Sequence, residues 1–140
     1  MLSFGGADPT NLTEKVIDTF LGIKCLNLRI DVIIGPGFSQ LDMIKTKIYD
    51  GSEFIKLVIN PPNIIPFFQR SDFIICAGGR TMYELLYLQK NFLPIASIEH
   101  EKEAIKAFIS QGFIDYGLLE WNHKTFLSVF NDQLRCLNIK

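Results

Sequence analysis

The stretch Ser71–Glu84, with the sequence SDFIICAGGRTMYE, carries the signals that decide the fold. Its run Phe73–Cys76 is apolar throughout and contains two isoleucines, as in strands that are buried on both faces. The double glycine Gly78-Gly79 follows, and a helical pattern begins at Thr81. The stretch therefore predicts a strand that turns through glycines directly into a helix, which is the building unit of a parallel sheet.

The same alternation of short apolar runs and helical segments repeats along the chain. Further strands are predicted at Leu2–Phe4, Leu28–Ile34, Phe54–Ile59 and Phe92–Ile98. Apolar residues recur at helical spacing in Thr10–Leu21 and in stripes that begin at Leu41, Met82, Ala104 and Phe126. Asp8-Pro9 predicts an N-cap followed by proline at the first helical position. Because strands that alternate with helices form right-handed crossovers, the predicted fold class is α/β, a Rossmann-like parallel sheet flanked by helices.

Composition bounds the possible function. The chain has 140 residues, of which 48% are hydrophobic and 21% charged, and this suits one globular domain. A net charge of -1 without a basic stripe argues against general nucleic-acid binding. We find neither a signal peptide pattern nor an apolar run near the roughly 20 residues of a transmembrane segment, so a cytoplasmic location is expected. The three cysteines and two histidines lack metal-ligand spacing, and we expect no metal and no cofactor.

The first predicted strand is short. Only about four residues precede its glycine turn, whereas strands are typically about 5–6 residues long. A domain that begins on so short a strand suggests the second half of a larger protein.

Three loops lead from a predicted strand through glycines into a helix. They contain Gly5-Gly6, Gly35-Pro36-Gly37 and Gly78-Gly79. Glycine lets the backbone approach a phosphate, and the following helix N-terminus supplies free N–H groups, so three such loops on one sheet edge could hold a nucleotide diphosphate. The second loop begins like a dinucleotide fingerprint, but Gln40 stands at its third glycine position, which favours a simple tight turn.

The third loop supports two interpretations. Thr81 and Glu84 have the spacing of a capping box, in which each side chain binds the backbone of the first helical turn. Alternatively, the amides near Gly79 and the Thr81 hydroxyl bind phosphate while Glu84 accepts both hydroxyls of a ribose. Arg80 favours the second interpretation slightly, since a guanidinium suits a phosphate.

These motifs, taken in order, point to a known family. They are Ser3-Phe4-Gly5-Gly6-Ala7-Asp8-Pro9, Ile34-Gly35-Pro36-Gly37-Phe38, Val58-Ile59-Asn60-Pro61-Pro62-Asn63 and the stretch Ser71–Glu84. The chain resembles, from about Ser3 to Tyr116, the C-terminal domain of the UDP-sugar hydrolase of pseudaminic acid biosynthesis and its spore-coat polysaccharide relatives. More distantly, it is similar to the C-terminal half of the GT-B-type glycosyltransferase that completes lipid II.

The resemblance implies that residues 1–140 form a nucleotide-sugar-binding domain whose partners are UDP or a UDP-sugar. The implied binding residues are Gly5, Gly6, Gly78, Gly79, Arg80, Thr81 and Glu84, with Glu84 on the ribose. The uracil is expected near Gly35–Phe38 or near the strand before Asn60. The catalytic residues remain unknown, because the resemblance places the catalytic histidine in an N-terminal domain outside this sequence.

The sequence departs from the family pattern at two places. Arg80 stands where relatives usually have serine, and His100-Glu101 stands where they usually have Asn-Gln. An anionic Glu101 beside a diphosphate should weaken binding, whereas His100 could replace an amide donor or simply be a solvated residue at a helix start.

Three functions remain open at this stage. The chain is the UDP-sugar-binding half of a two-domain hydrolase or glycosyltransferase, or one subunit of a split glycosyltransferase whose other half is membrane-attached. The third alternative is a degenerate interaction domain without a nucleotide site. Phe67-Phe68 and Tyr83/Tyr87 are its candidate docking residues.

Overall fold

The computed structural model describes residues 1–23, 28–49 and 53–136. Strands and helices alternate along the chain in the order β1 (Leu2–Ser3), α1 (Leu12–Gly22), β2 (Ile30–Ile34), α2 (Leu41–Tyr49), β3 (Ile55–Ile59), α3 (Ile65–Arg70), β4 (Ile74–Ala77), α4 (Thr81–Tyr87), β5 (Phe92–Ile95), α5 (Glu99–Ser110) and α6 (His123–Cys136).

The five strands form one parallel sheet in the order β3-β2-β1-β4-β5. This confirms the predicted Rossmann-like α/β fold. The short strand β1 lies at the centre, where Leu2 pairs with Val32 on one side and Ile75 on the other. Its ladder extends beyond the strand, because the backbone N–H of Ile75 donates to the carbonyl of Met1 at 2.9 Å. A two-residue strand is stable here because both of its edges are paired.

Helices cover both faces of the sheet. Successive residues of β4 alternate between two cores: Ile75 and Ala77 face α1, α2 and α6, whereas Ile74 and Cys76 face α3, α4 and α5. Aromatic rings from α1 and α6 fill the first core, with Phe20 and Phe130 in an edge-to-face contact at 5.1 Å between ring centroids. Burial on both faces explains why the strands are apolar almost throughout.

Several predicted boundaries shift. Helix α1 begins at Leu12 rather than Thr10, and β5 ends at Ile95 because Ile98 already precedes the first turn of α5. Helix α3 was not predicted, although Pro66 near its start is a typical first-turn residue. Beyond β5, Leu118 forms a parallel bridge with Ile95 and so attaches the segment after α5 to the sheet edge.

In the part of the chain that the structure describes, no helix combines the length and the apolar character needed to cross a bilayer.

Candidate functional site

The strand order brings the three glycine loops together at one edge of the sheet. Neighbouring strands β2, β1 and β4 all end there, and Ser3 of β1 pairs with Ile33 on one side and Cys76 on the other. The chain runs outward from β1 to β3 and then crosses back to β4, so the strand order reverses between β1 and β4. Open parallel sheets bind ligands beyond the carboxyl ends of the strands at such a reversal. Gly5-Gly6 and Gly78-Gly79 follow the two strands that flank it.

The first and second loops pack backbone against backbone. A Cβ atom on Gly35 would lie 2.6 Å from the Cα of Gly6, closer than any real contact. A Cβ on Gly37 would lie 3.1 Å from the Gly6 carbonyl oxygen. Glycine at position 35 is therefore required by loop packing, as expected for a tight turn. Gly5 and Gly6 are exposed, and a Cβ atom added to either of them would meet no atom within 4 Å.

The Asp8 side chain caps helix α1 although Asp8 lies four residues before the first residue of the helix. Pro9 is not the first helical residue, because the helix begins at Leu12. The buried Asp8 carboxylate still accepts the backbone N–H groups of Leu12 at 2.9 Å and Thr13 at 2.8 Å. Two of the first-turn amides that α1 could offer a phosphate are thus already bound to an anion of the chain itself.

The third loop lies against helix α5. A Cβ atom on Gly78 would lie 2.7 Å from the Cδ1 of Ile105, so only glycine allows α5 to pack this closely. Gly79 is less constrained, since its nearest neighbour would be the Oε2 of Glu101 at 3.4 Å. Gly78 therefore has a packing role whether or not a ligand binds, whereas Gly79 is open to one.

The predicted capping box does not form. The first turn of α4 is instead closed by backbone bonds from the Met82 N–H to the Gly79 carbonyl and from the Tyr83 N–H to the Arg80 carbonyl, both at 3.1 Å. Among the described residues, neither the Thr81 hydroxyl nor the Glu84 carboxylate has a hydrogen-bond or ion-pair partner. The capping interpretation was wrong because the turn is satisfied without either side chain.

The residues at the start of α5 differ in their surroundings. His100 lies in the first turn of α5 and is exposed. Arg80, which directly precedes α4, is exposed as well. The Oε1 of Glu101 accepts hydrogen bonds from both the N–H and the hydroxyl of Ser97, at 2.7 and 2.6 Å.

Burial raises the pKa of the Cys76 thiol, and the negative charge of Glu101 adds to this effect, so the thiol stays neutral. Cys25 lies outside the described residues.

Sequence reasoning missed the bond between Ser97 and Glu101. A capping box has serine and glutamate three residues apart, but these two are four apart. Ile98 is the N-cap of α5, so the glutamate at the third helical position reaches one residue further back than usual. A search for S-x-x-x-E before an apolar helix would have found the pair.

Two clefts lie at opposite edges of the sheet. A cleft of about 330 Å³ at the carboxyl edge lies between α1, the turn from β5 to α5, and residues 119–121. A larger one of about 1,100 Å³ lies at the amino ends of the strands, where Arg29, Asp31 and Arg70 are among its lining residues. Neither of these two is lined by Gly79, Thr81 or Glu84. The described residues contain no group of three or more histidine, cysteine, aspartate or glutamate side chains that could hold a metal ion.

Comparison with known proteins gives one relative whose name states a biological role. No protein-family model matches the chain. The spore coat polysaccharide biosynthesis protein SpsG of Bacillus subtilis is 26% identical to it over 124 residues, which are 86% of this chain. The chain is similar to a polysaccharide biosynthesis protein. An uncharacterized protein of Methanocaldococcus jannaschii is 32% identical over 113 residues, or 79% of this chain.

Both relatives are much longer than the matched region. The chain covers 23% of the Methanocaldococcus protein and 36% of SpsG. It thus corresponds to about a quarter to a third of the curated relatives it matches.

Proposed function

We propose that residues 1–140 form the UDP-sugar-binding domain of an enzyme of polysaccharide or nonulosonic-acid biosynthesis. The enzyme is a nucleotide-sugar hydrolase or a GT-B-type glycosyltransferase, and this domain is not catalytically complete alone. The remainder of the active site comes from an N-terminal domain or from a partner subunit. The similarity to SpsG, a spore coat polysaccharide biosynthesis protein, supports a role in polysaccharide biosynthesis.

The unpartnered side chains of Thr81 and Glu84 carry this proposal. Both follow the open backbone of Gly79 beside the reversal of strand order. A hydroxyl and backbone amides suit a diphosphate, and a carboxylate suits the two hydroxyls of a ribose. Exposed Arg80 adds a cation at the same position.

In this proposal the first loop has a smaller role than the sequence suggests. Gly5 and Gly6 can approach the ligand with their backbone, but the Asp8 carboxylate occupies the amides of Leu12 and Thr13 at the start of α1. The diphosphate is therefore assigned to the third loop, and His100 to a contact from the start of α5. Glu101 opposes the ligand charge and lowers the affinity.

Titration of the isotope-labelled domain with UDP, followed by amide chemical shifts, tests the proposal. We expect shifts that converge on Gly5–Asp8 and Gly78–Glu84. Glu84→Ala and Gly79→Val should abolish them, whereas Glu53→Ala, an exposed carboxylate at the opposite edge, should respond like the parent. An unchanged parent spectrum at millimolar UDP, or full binding by both site variants, would contradict the assignment.

An interaction domain without a nucleotide site is the second candidate, and exposed aromatic rings favour it. Tyr83 is 61% and Tyr87 is 87% exposed on α4. The other candidate pair is less accessible, since Phe68 is buried and Phe67 is half-buried, with its ring centroid 4.4 Å from the Arg70 guanidinium. Retained UDP binding by Tyr83→Ser/Tyr87→Ser would separate this surface from the nucleotide site.

A further inference from the structure

The two lateral edges of the sheet differ. At one edge, β5 contains Pro94, whose carbonyl accepts the N–H of Leu118, while the Leu118 carbonyl accepts the N–H of Ala96. A proline and a covering segment are both ways in which proteins protect an edge strand. At the other edge, β3 contains no proline, and among the described residues it pairs only with β2. The outer edge of β3 is therefore open to another strand.

Backbone hydrogen bonds show which groups β3 leaves unpaired. The N–H of Ile30 donates to the Phe54 carbonyl, and the N–H of Asn60 donates to the Ile34 carbonyl, both at 2.7 Å. Because the bonding direction alternates along a strand, the even-numbered residues between 54 and 60 direct their N–H and carbonyl groups toward β2. The outward-pointing groups belong to the odd-numbered residues, which are Ile55, Leu57 and Ile59.

The side chains along this edge are mainly apolar. Leu57 and Val58 are half-buried against opposite faces of the sheet, and Ile59 is 49% exposed. Lys56 is the single charged residue of the strand, and its amine has no ion-pair partner within the part of the chain that the structure describes. An apolar strand with one lysine is only weakly protected against pairing.

We propose that β3 pairs with β3 of a second copy of this chain, antiparallel and about a two-fold axis at Leu57. In this register Leu57 pairs with Leu57 of the second copy, and Ile55 pairs with Ile59 of the second copy. All three residues with outward-pointing groups then belong to hydrogen-bonded pairs, each of which exchanges two hydrogen bonds. No other antiparallel register uses all three. This dimer does not require the proposed function, because β2 and β1 separate β3 from β4 and the third glycine loop.

The size and the charge of this interface favour a reversible dimer. One pair of five-residue strands buries much less than the about 1,600 Å² of a standard stable complex. The two Lys56 side chains lie diagonally across the two-fold axis on the same face, so their repulsion opposes pairing. We therefore expect half of the chains to be dimeric at about 100 μM, and added salt to strengthen the dimer.

Sedimentation velocity of the full chain, from about 10 μM to about 1 mM, measures the association. Lys56→Gln removes the repulsion and should lower the dimer Kd by about two- to fivefold. Leu57→Pro removes an outward N–H but no hydrogen bond to β2, and it should raise the dimer Kd by at least about tenfold. Urea unfolding checks that Leu57→Pro still folds cooperatively.

A mixture of chains tests the position of Lys56 without any change to the backbone. Lys56→Glu alone keeps a like-charge contact and should associate like the parent. An equimolar mixture of the two should form mixed dimers about three- to tenfold more tightly than either chain alone. Native mass spectrometry with one chain isotope-labelled separates the three dimers. Lys45→Glu, which changes an exposed lysine on α2, is the matched control and should show no such preference.

The outcomes are distinct. Weaker association of Leu57→Pro together with preferred mixed dimers supports pairing through β3, and the mixed dimers decide alone if Leu57→Pro does not fold. A chain that stays monomeric at about 1 mM overturns the proposal and leaves the edge to a strand of a different protein. A dimer that responds to neither change forms through another surface, which equally overturns it. The titration with UDP tests the proposed function separately.

Discussion

One carboxylate oxygen of Glu101 accepts two hydrogen bonds from Ser97, and its other oxygen lies beside the third glycine loop. The side chain thus closes the first turn of α5 and places a negative charge next to Gly79. In the proposed function these two effects oppose each other, because the charge that stabilises the turn repels the ligand.

Glu101→Gln should therefore raise the affinity for UDP. The amide keeps an oxygen that can accept from Ser97 but removes the negative charge, and we expect about three- to tenfold tighter binding. Calorimetric titration with UDP measures it. Glu103→Gln, on the exposed side of α5, is the matched control. Equal affinity of the parent and Glu101→Gln would show that the charge does not act on the ligand.

Asp8→Ala should destabilise the fold by about 2–3 kcal/mol. The variant leaves the amides of Leu12 and Thr13 without their acceptor next to a buried core. Asp8→Asn should cost less, since one acceptor oxygen remains. Urea unfolding of the three proteins gives the comparison, and a loss below about 0.5 kcal/mol for Asp8→Ala would mean that water replaces the cap.

Gly78→Ala should destabilise the fold by about 1–3 kcal/mol through its collision with Ile105. Ile105→Ala removes both atoms that the new methyl group would meet first, Cδ1 at 2.7 Å and Cγ1 at 2.8 Å. The double variant should therefore lose less stability than the sum of the single losses, and a double-mutant cycle by urea unfolding measures this coupling. If the stability losses of the two single variants simply added, the strain in Gly78→Ala would not come from contact with residue 105. Gly79→Ala, whose Cβ would make an ordinary contact, is the control.

Gln89→Gly should stabilise the fold by about 0.5–1 kcal/mol. Gln89 follows α4 with a left-handed φ of 57°, and the N–H of Lys90 donates to the Leu85 carbonyl in the pattern that ends many helices with glycine. Helix α5 ends in the same pattern with Gly112 at φ 77°. Gly112→Ala should lower the unfolding free energy by about 1 kcal/mol. Thermal and urea unfolding measure the stability of both variants. If both raised, or both lowered, the free energy of unfolding, the left-handed backbone at positions 89 and 112 would not be the cause.

Most of the fold could be predicted because its signals are local. The apolar run of β4 and the glycines after it indicate a buried strand and a turn into a helix, whatever lies around them. Helix α3 escaped prediction because six residues contain too little periodicity to be recognised. The position of the two-residue strand β1 in the middle of the sheet was equally hidden, since pairing with Val32 and Ile75 joins distant parts of the chain.

For the candidate site, the sequence by itself determined which residues could contact a ligand, because glycine, hydroxyl and carboxylate chemistry can be recognised without coordinates. Only the tertiary structure decided which of them are unpartnered. The local pattern pairs Thr81 with Glu84, yet backbone bonds close that turn and leave both side chains free. Asp8 and Glu101 look like available carboxylates in the sequence, but folding brings them to the amides of α1 and to Ser97. A polar group can bind a ligand only through donors or acceptors that are not already hydrogen-bonded within the folded chain. Which of them stay free depends on contacts between residues that are distant in the sequence.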